Sequence, residues 1–177
     1  MKKRIVSLLL ALVMVLSLVP TTVWAAEDHD GQVRVIVENT TYAKADGAAW
    51  DGTLVDKWVD LVPGSSMMDC IVSALGSYSQ TGAESGYISE INGLKAGAGG
   101  NYMAGWMGTL NDFFVNRSFS EFTVEDGKLA DGDVIRVMYT TEGLGKDLGG
   151  TWGNSNTTLK SLEVEGGNLT SAFASGV

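Results

Sequence analysis

Few residues of this chain could perform nucleophilic or acid–base chemistry. The sequence contains one histidine, His29, and one cysteine, Cys70. A Ser/His/Asp or Cys/His system needs a base held beside its nucleophile, and His29 lies in the polar stretch that follows an apolar leader. Zinc needs three or four nitrogen or sulfur ligands, which these two residues cannot supply. We therefore expect no enzymatic activity, no metal site and no bound cofactor.

Three carboxylates lie close together near the end of the central region. Asp126, Asp131 and Asp133 are separated by glycines, and calcium takes oxygen ligands. Their spacing differs from that of an EF-hand loop, and Asp-Gly pairs are ordinary turn residues. The pattern favours two turns, and calcium binding stays an open alternative.

Aromatic residues offer another kind of site. Tyrosines, phenylalanines and the Trp106 indole of Gly105-Trp106-Met107-Gly108 crowd the second half of the chain around glycine-rich loops. Aromatic walls with close backbone approach suit a flat or amphipathic ligand. Alternation along a strand would also place about half of these rings in the core, so both roles remain open for Trp106.

The elements that must position these residues follow from the periodicity. Residues 32–38 and 53–62 alternate as half-buried strands do. Ser66 and Asp69 then form an approximate capping box before an amphipathic helix that ends near Gly76. Further strands are expected over 86–91, 103–110 and 134–139, with turns at 92–93 and 111–112. This order predicts a small α+β domain with one helix covering one face of a sheet.

The first residues have the features of a secretory signal peptide. Lys2, Lys3 and Arg4 precede an uncharged run over 5–19, and small residues precede a cleavage site after Ala25. We expect residues 1–25 to be removed and the protein to be secreted and extracellular, with cell-wall association as an alternative. No membrane span is expected in the mature chain.

Charge and cysteine content limit the partners. The chain has 12 basic and 21 acidic residues, a net charge of −9. Such a chain repels phosphate backbones, so nucleic acid is excluded. The single Cys70 cannot form an internal disulfide, and its apolar neighbours indicate a buried thiol, with pairing between chains as the alternative. A monomer is expected.

Several short motifs resemble a known family. Ile91-Asn92-Gly93, Gly105-Trp106-Met107 and Asp131-Gly132-Asp133 resemble a bacterial surface-domain family related to the C-terminal β-domain of the cobalamin carriers transcobalamin and intrinsic factor. The resemblance implies a β-grasp (ubiquitin-like) fold over residues 26–141, with one helix packed on a small, mostly antiparallel sheet. Asn111-Asp112 replaces the usual Asn-Gly of the family, and Gly108 stands where an aromatic residue is common.

The same resemblance implies a ligand and its contacts. By the motif, the ligand-binding residues are Tyr87, Tyr102, Trp106, Asn111 and Phe113, and the ligand is cobalamin or another corrinoid. In the carriers this domain closes over a separate helical barrel, which has no counterpart in this sequence.

The tail resembles another class of domain. Residues 142–157 are rich in Gly, Asn and Thr and are expected to be a linker. Residues 158–177 resemble the truncated start of a cadherin-like β-sandwich repeat of bacterial surface proteins. We therefore expect a non-catalytic secreted or cell-surface binding module for a corrinoid-like small molecule. The alternative is an architectural or adhesive module of a multidomain surface protein that binds protein or glycan.

Overall fold

A computed structural model describes residues 31–150, 162–165 and 168–171. The predicted signal peptide and most of the predicted β-sandwich start lie outside these residues. The strands are β1 (Gln32–Asn39), β2 (Gly52–Asp60), β3 (Gln80–Thr81), β4 (Glu90–Ile91), β5 (Leu94–Lys95), β6 (Gly105–Leu110), β7 (Phe113–Phe114), β8 (Val134–Thr140), β9 (Leu162–Glu165) and β10 (Asn168–Ser171). The helix α1 spans Met67–Leu75.

The main sheet has five strands in the order β2-β1-β8-β6-β7. β1 pairs parallel with β8, and the other three pairings are antiparallel. β3, β4 and β5 form a second sheet of three strands, and β9 pairs with β10.

α1 begins where the sequence places it. The Ser66 hydroxyl accepts a hydrogen bond from the Asp69 backbone N–H, and the Asp69 carboxylate accepts one from the Ser66 N–H. This reciprocal pairing satisfies two free backbone donors of the first turn. The helix packs against β1 and β2 and ends at Gly76, whose φ is 58°.

The second sheet is attached to the main sheet by aromatic side chains. The Trp50 and Trp106 indole nitrogens donate to the carbonyls of Ile91 and Leu94, at 3.1 and 3.2 Å. The Tyr139 hydroxyl donates to the Lys95 carbonyl at 2.9 Å. Each ring therefore buries its apolar body and still satisfies its polar atom, as large aromatic residues do in cores.

A short segment crosses the face of the main sheet that lies opposite to α1. This segment, the strap (residues 143–150), begins with the 3₁₀ helix Gly143–Leu148. Leu148 packs with Met107, Phe114 and Met138 in a small cluster separate from the main core. The Asp147 carboxylate accepts hydrogen bonds from the backbone N–H and the hydroxyl of Thr141, directly after β8, which fixes the strap to the sheet.

The predicted fold class is wrong. The prediction was an α+β, β-grasp domain with one helix on a small, mostly antiparallel sheet. The described chain is mostly β, with a mixed five-stranded sheet, an additional three-stranded sheet and a helix of only nine residues. β3, β4 and β5 have two residues each, too few for alternation to show, so the second sheet gave no periodic signal.

Within the described residues, no helix is long and apolar enough to cross a membrane.

Candidate functional site

A mainly apolar concavity of the described chain lies beside β6. We call it the wedge cleft; its volume is about 520 Å³. One side is the outer edge of β6, and the other is the chain that runs from β7 to the 3₁₀ helix Phe119–Glu121. Its walls are Gly86, Tyr87, Ile88, Trp106, Met107, Gly108, Phe114, Val115, Asn116, Arg117, Ser118, Phe119, Leu144 and Gly150.

The cleft exists because a hairpin opens. Asn111 and Asp112 have φ values of 50° and 66°, as a two-residue hairpin turn with two left-handed positions requires. Leu110 then pairs with Phe113 and Thr109 with Phe114. The last contact is the Val115 N–H donating to the Gly108 carbonyl at 3.0 Å. Beyond it the chain leaves β6, and the space between them is the cleft.

This divergence leaves some backbone groups of β6 without a hydrogen-bond partner, although Trp106 and Gly108 are both buried. The Asn111 N–H bonds the Val134 carbonyl of the β8 side, so the alternation of an antiparallel ladder directs the backbone groups of Trp106 and Gly108 away from β8. The Ala104 carbonyl accepts from Gly97. Among the described residues, the Trp106 N–H and C=O and the Gly108 N–H have no hydrogen-bond partner on this edge.

Two contacts fix the far wall of the cleft. The Ser118 hydroxyl donates to the Gly86 carbonyl at 3.0 Å, which joins the loop before β4 to the chain after β7. The Phe119 ring lies directly over Gly108, where an added Cβ would be 2.5 Å from its Cε1 atom.

A second concavity, the outer cleft, lies on the other side of the Phe114–Arg117 segment. Its volume is about 450 Å³, and it contains Phe113, Phe122 and Lys128. Arg117 lines both clefts. Its Nη1 atom is 3.4 Å from Glu121 Oε2 in a solvent-exposed pair, which holds the guanidinium only weakly. An anionic group of a ligand could therefore reach a cation from either cleft.

Trp106 lies in the core. It is 3% exposed, stacks on Trp50 at 5.8 Å and meets Tyr139 edge to face at 5.2 Å. With its nitrogen bonded to Leu94, the indole has no free polar atom to offer a ligand. Trp106 lines the wedge cleft with the little surface that it exposes.

The other predicted site residues do not lie at one site. Tyr87 is 52% exposed in the wall of the wedge cleft, and Phe113 is 49% exposed in the outer cleft. Tyr102 is 89% exposed and lines neither cleft. Asn111 supports the turn, because its amide donates to Asp133 and its oxygen accepts from the Val134 N–H. The structure thus brings Tyr87 and Trp106 together at one cleft and leaves Tyr102 and Asn111 elsewhere.

Several cleft residues are not among the predicted ligand contacts, although Phe114 and Phe119 belong to the aromatic residues that the sequence offered for a pocket. Phe114, Arg117 and Phe119 line the wedge cleft, yet they belong to a stretch without strand or helix periodicity. The Phe113-Phe114 pair directly after the Asn111-Asp112 turn is the signal that could have indicated a return strand along β6.

The carboxylates proposed for calcium serve turns. Asp131 accepts from the Gln32 N–H, and Asp133 accepts from the Ala130 N–H. Asp126 lies 3.6 Å from the Lys128 ammonium. In residues 31–150 and the two described tail strands, no three His, Cys, Asp or Glu residues are placed to hold a metal ion.

Cys70 lies on α1 away from the wedge cleft. It is 2% exposed, and burial raises the pKa of its thiol to about 11. The neutral thiol is therefore the form present near neutral pH, and it is a poor nucleophile.

Comparison with known proteins identifies one domain. Residues 64–141 match a domain of unknown function (DUF4430), and this range includes α1, β3 to β8 and every wall of the two clefts except Leu144 and Gly150. No curated protein and no solved structure matches the chain. The chain therefore contains a DUF4430 domain, and the comparisons support neither the transcobalamin-like nor the cadherin-like resemblance.

Proposed function

We propose that this protein is a non-catalytic binding module, secreted or held at the cell surface, whose binding site is the wedge cleft. The observation that carries the proposal is the composition of that cleft. Its walls are mainly apolar and aromatic, with a half-exposed Tyr87 and one cationic side chain, Arg117. A few polar groups in an apolar concavity are typical of sites that bind a ligand.

The ligand of the first proposal is a flat or amphipathic small molecule. Tyr87 offers a ring that can stack on such a molecule, and Arg117 can pair with an anionic substituent. A corrinoid-like ligand fits this description. A corrinoid is proposed here because the sequence resembles the carrier β-domain.

A second candidate function is that of an adhesive or architectural module that binds protein or glycan. The unpaired backbone groups of β6 beside the cleft favour this function, because unpaired strand edges pair readily with other chains.

The first experiment is a titration of the purified chain with dicyanocobinamide and with the apolar dye anilinonaphthalene sulfonate, followed by calorimetry and dye fluorescence. We expect saturable binding of at least one probe. Tyr87→Ala should weaken it by up to about ten-fold, since an aromatic contact contributes up to about 1.5 kcal/mol. Tyr102→Ala is the matched control, because that tyrosine lies outside both clefts.

Binding that Tyr87→Ala leaves unchanged would place the small-molecule site elsewhere. If neither probe binds the wild-type chain, the small-molecule proposal is wrong. The adhesive candidate would then have to be tested with a polypeptide ligand.

A further inference from the structure

One residue of the strap has a strained backbone. Leu144 has φ 65° and ψ 27°, the left-handed conformation. The Cβ atom makes this conformation unfavourable, and bulky residues rarely adopt it. The other described non-glycine residues with positive φ are Asn92, Asn111 and Asp112, whose types tolerate it in turns. Leu144 is therefore the one described position where the fold holds an unsuited side chain in this conformation.

Core packing does not account for this strain. Among the described residues, Leu144 packs with neither of the two apolar clusters, whereas Leu148 of the same strap is 1% exposed in the smaller one. Leu144 is half-buried and lines the wedge cleft. Its side chain therefore borders the cleft and not the interior.

The backbone on both sides of Leu144 is fixed by close contacts. An added Cβ would lie 2.7 Å from another side chain at Gly143 and 3.1 Å from one at Gly145. The Gly150 N–H donates to the Gly145 carbonyl at 2.7 Å. Backbone strain persists where the surroundings hold it in this way, and it is concentrated at ligand clamps and switch segments.

We propose that Leu144 is a gate of the wedge cleft: its side chain covers part of the apolar wall in the free protein and moves aside when an apolar ligand fills the cleft. This inference rests on the proposed binding function and names the residue that decides which apolar groups enter. Movement of Leu144 releases its backbone from the left-handed conformation. The strain that is relieved offsets part of the free energy needed to displace the side chain.

The contacts of the strap leave room for this movement. The Met103 side chain, which lies against Gly143, is 42% exposed, and methionine has three rotatable side-chain bonds. The attachments of the strap to the sheet come after Leu144, where Asp147 is hydrogen-bonded and Leu148 packs in the smaller cluster. The gate can therefore open while the second half of the strap stays on the sheet.

The test is a titration of Leu144→Ala and Leu144→Gly with anilinonaphthalene sulfonate, followed by dye fluorescence. Both variants should bind the dye about five-fold more tightly than wild type, because the dye no longer has to displace a half-buried leucine side chain. Adding Tyr87→Ala to Leu144→Ala should weaken binding again, since both residues line the same cleft. Val72→Ala is the matched control, because it truncates an apolar side chain that is 39% exposed and lines neither cleft.

Thermal unfolding separates the strain from the side chain. Leu144→Gly should have a Tm about 3 °C above that of Leu144→Ala, because glycine adopts a positive φ without the Cβ penalty. In wild type, the Leu144 methyl resonances should shift when the dye is added. Equal Tm values, or methyl resonances that do not respond to bound dye, would contradict the gate.

The gate and the binding function fail in different ways. If the Leu144 variants bind the dye no more tightly than wild type, the gate is wrong and the binding function stands. Binding by Leu144→Ala without detectable binding by wild type would support the gate and contradict a binding function of the unaltered chain. Absence of binding in every variant would contradict both.

Discussion

At the scale of single residues, Gly108 explains how the cleft is shaped. An added Cβ there would lie 2.5 Å from Phe119 Cε1 and 3.3 Å from Met67 Cε, closer than atoms in van der Waals contact. The glycine thus permits the Phe119 ring to cover β6. The aromatic wall and the strand edge can meet only because this position has no side chain.

Gly108→Ala should lower the free energy of unfolding by about 1 kcal/mol, because the Phe119 ring must move towards the cleft. Urea denaturation measures the change. The double variant with Phe119→Leu is the control, and its loss should be smaller than the sum of the two single losses. Additive losses would show that the ring does not restrict residue 108.

Thr109 and Thr140 each carry a hydroxyl group, and the two hydroxyl groups differ in their hydrogen bonds. Both side chains are buried. The Thr140 hydroxyl donates to the Glu142 carbonyl at 2.6 Å, whereas the Thr109 hydroxyl has no partner among the described residues. Thr109→Val should therefore stabilise the fold by roughly 1 kcal/mol, and Thr140→Val should destabilise it by a similar amount. Thermal unfolding of both variants measures this, and a destabilised Thr109→Val would indicate a bound water at that hydroxyl.

Local chemistry made several positions predictable from sequence. The Ser66–Asp69 capping box and the left-handed Asn92-Gly93 turn depend on neighbouring residues only, and the structure contains both. The environment of Trp106 depends on Trp50 and Leu94, which other elements supply. For this reason the sequence left its role open.

At the scale of elements, β1 and β2 are joined by a cross-strand ion pair. Arg34 Nε and Nη2 donate to the two Asp56 oxygens, each at 2.8 Å. These hydrogen bonds lower the pKa of Asp56 below its ordinary value. On the same face, burial raises the pKa of Glu38, and the neighbouring Arg136 opposes that shift.

Asp56→Asn tests the pair through pH. Because folding lowers the pKa of Asp56, its stabilisation is present above the unfolded pKa of about 4 and is lost as the pH falls through the lower folded value. Between pH 7 and pH 3, Asp56→Asn should lose about 0.5 kcal/mol less stability than wild type, a small effect because the pair is part-exposed. Arg34→Gln should reproduce it. Equal acid sensitivity of all three proteins would contradict the assignment.

The strap depends on one carboxylate. Asp147 accepts from the Thr141 N–H at 2.7 Å and from the Thr141 hydroxyl at 2.9 Å. Asp147→Ala should destabilise the protein by about 2 kcal/mol and increase hydrogen exchange over residues 141–149 more than in β8. Lys146→Ala, which keeps the carboxylate, is the control. Unchanged exchange in the strap would show that Leu148 packing alone holds it.

Long elements were predicted better than short ones. β1, β8 and α1 carry enough alternating or helical positions for their pattern to show, and the structure contains all three. The stretch 86–91 was predicted as one strand, but only Glu90–Ile91 is β4, and Gly86, Tyr87 and Ile88 form a wall of the cleft instead. Contacts with Ser118 and β6 determine that outcome, and they are distant in sequence.

At the scale of the whole molecule, the fold is held together without a disulfide. Cys70 is a free, buried thiol, so the core and the hydrogen bonds of Trp50, Trp106 and Tyr139 must hold the two sheets together. Trp50, Trp106 and Tyr139 are thereby used inside the molecule, while the exposed side chains of Tyr87 and Arg117 line the cleft. The binding role proposed for the domain depends on this division.

The presence of unpaired backbone groups on β6 is the central claim, and NMR couplings through hydrogen bonds test it most directly. In the free protein we expect the Met107 and Thr109 N–H groups to show couplings to carbonyls of β8, and the Trp106 and Gly108 N–H groups to show none to any carbonyl of the chain. A coupling from Trp106 or Gly108 to another residue would mean that these groups are paired and would contradict the claim.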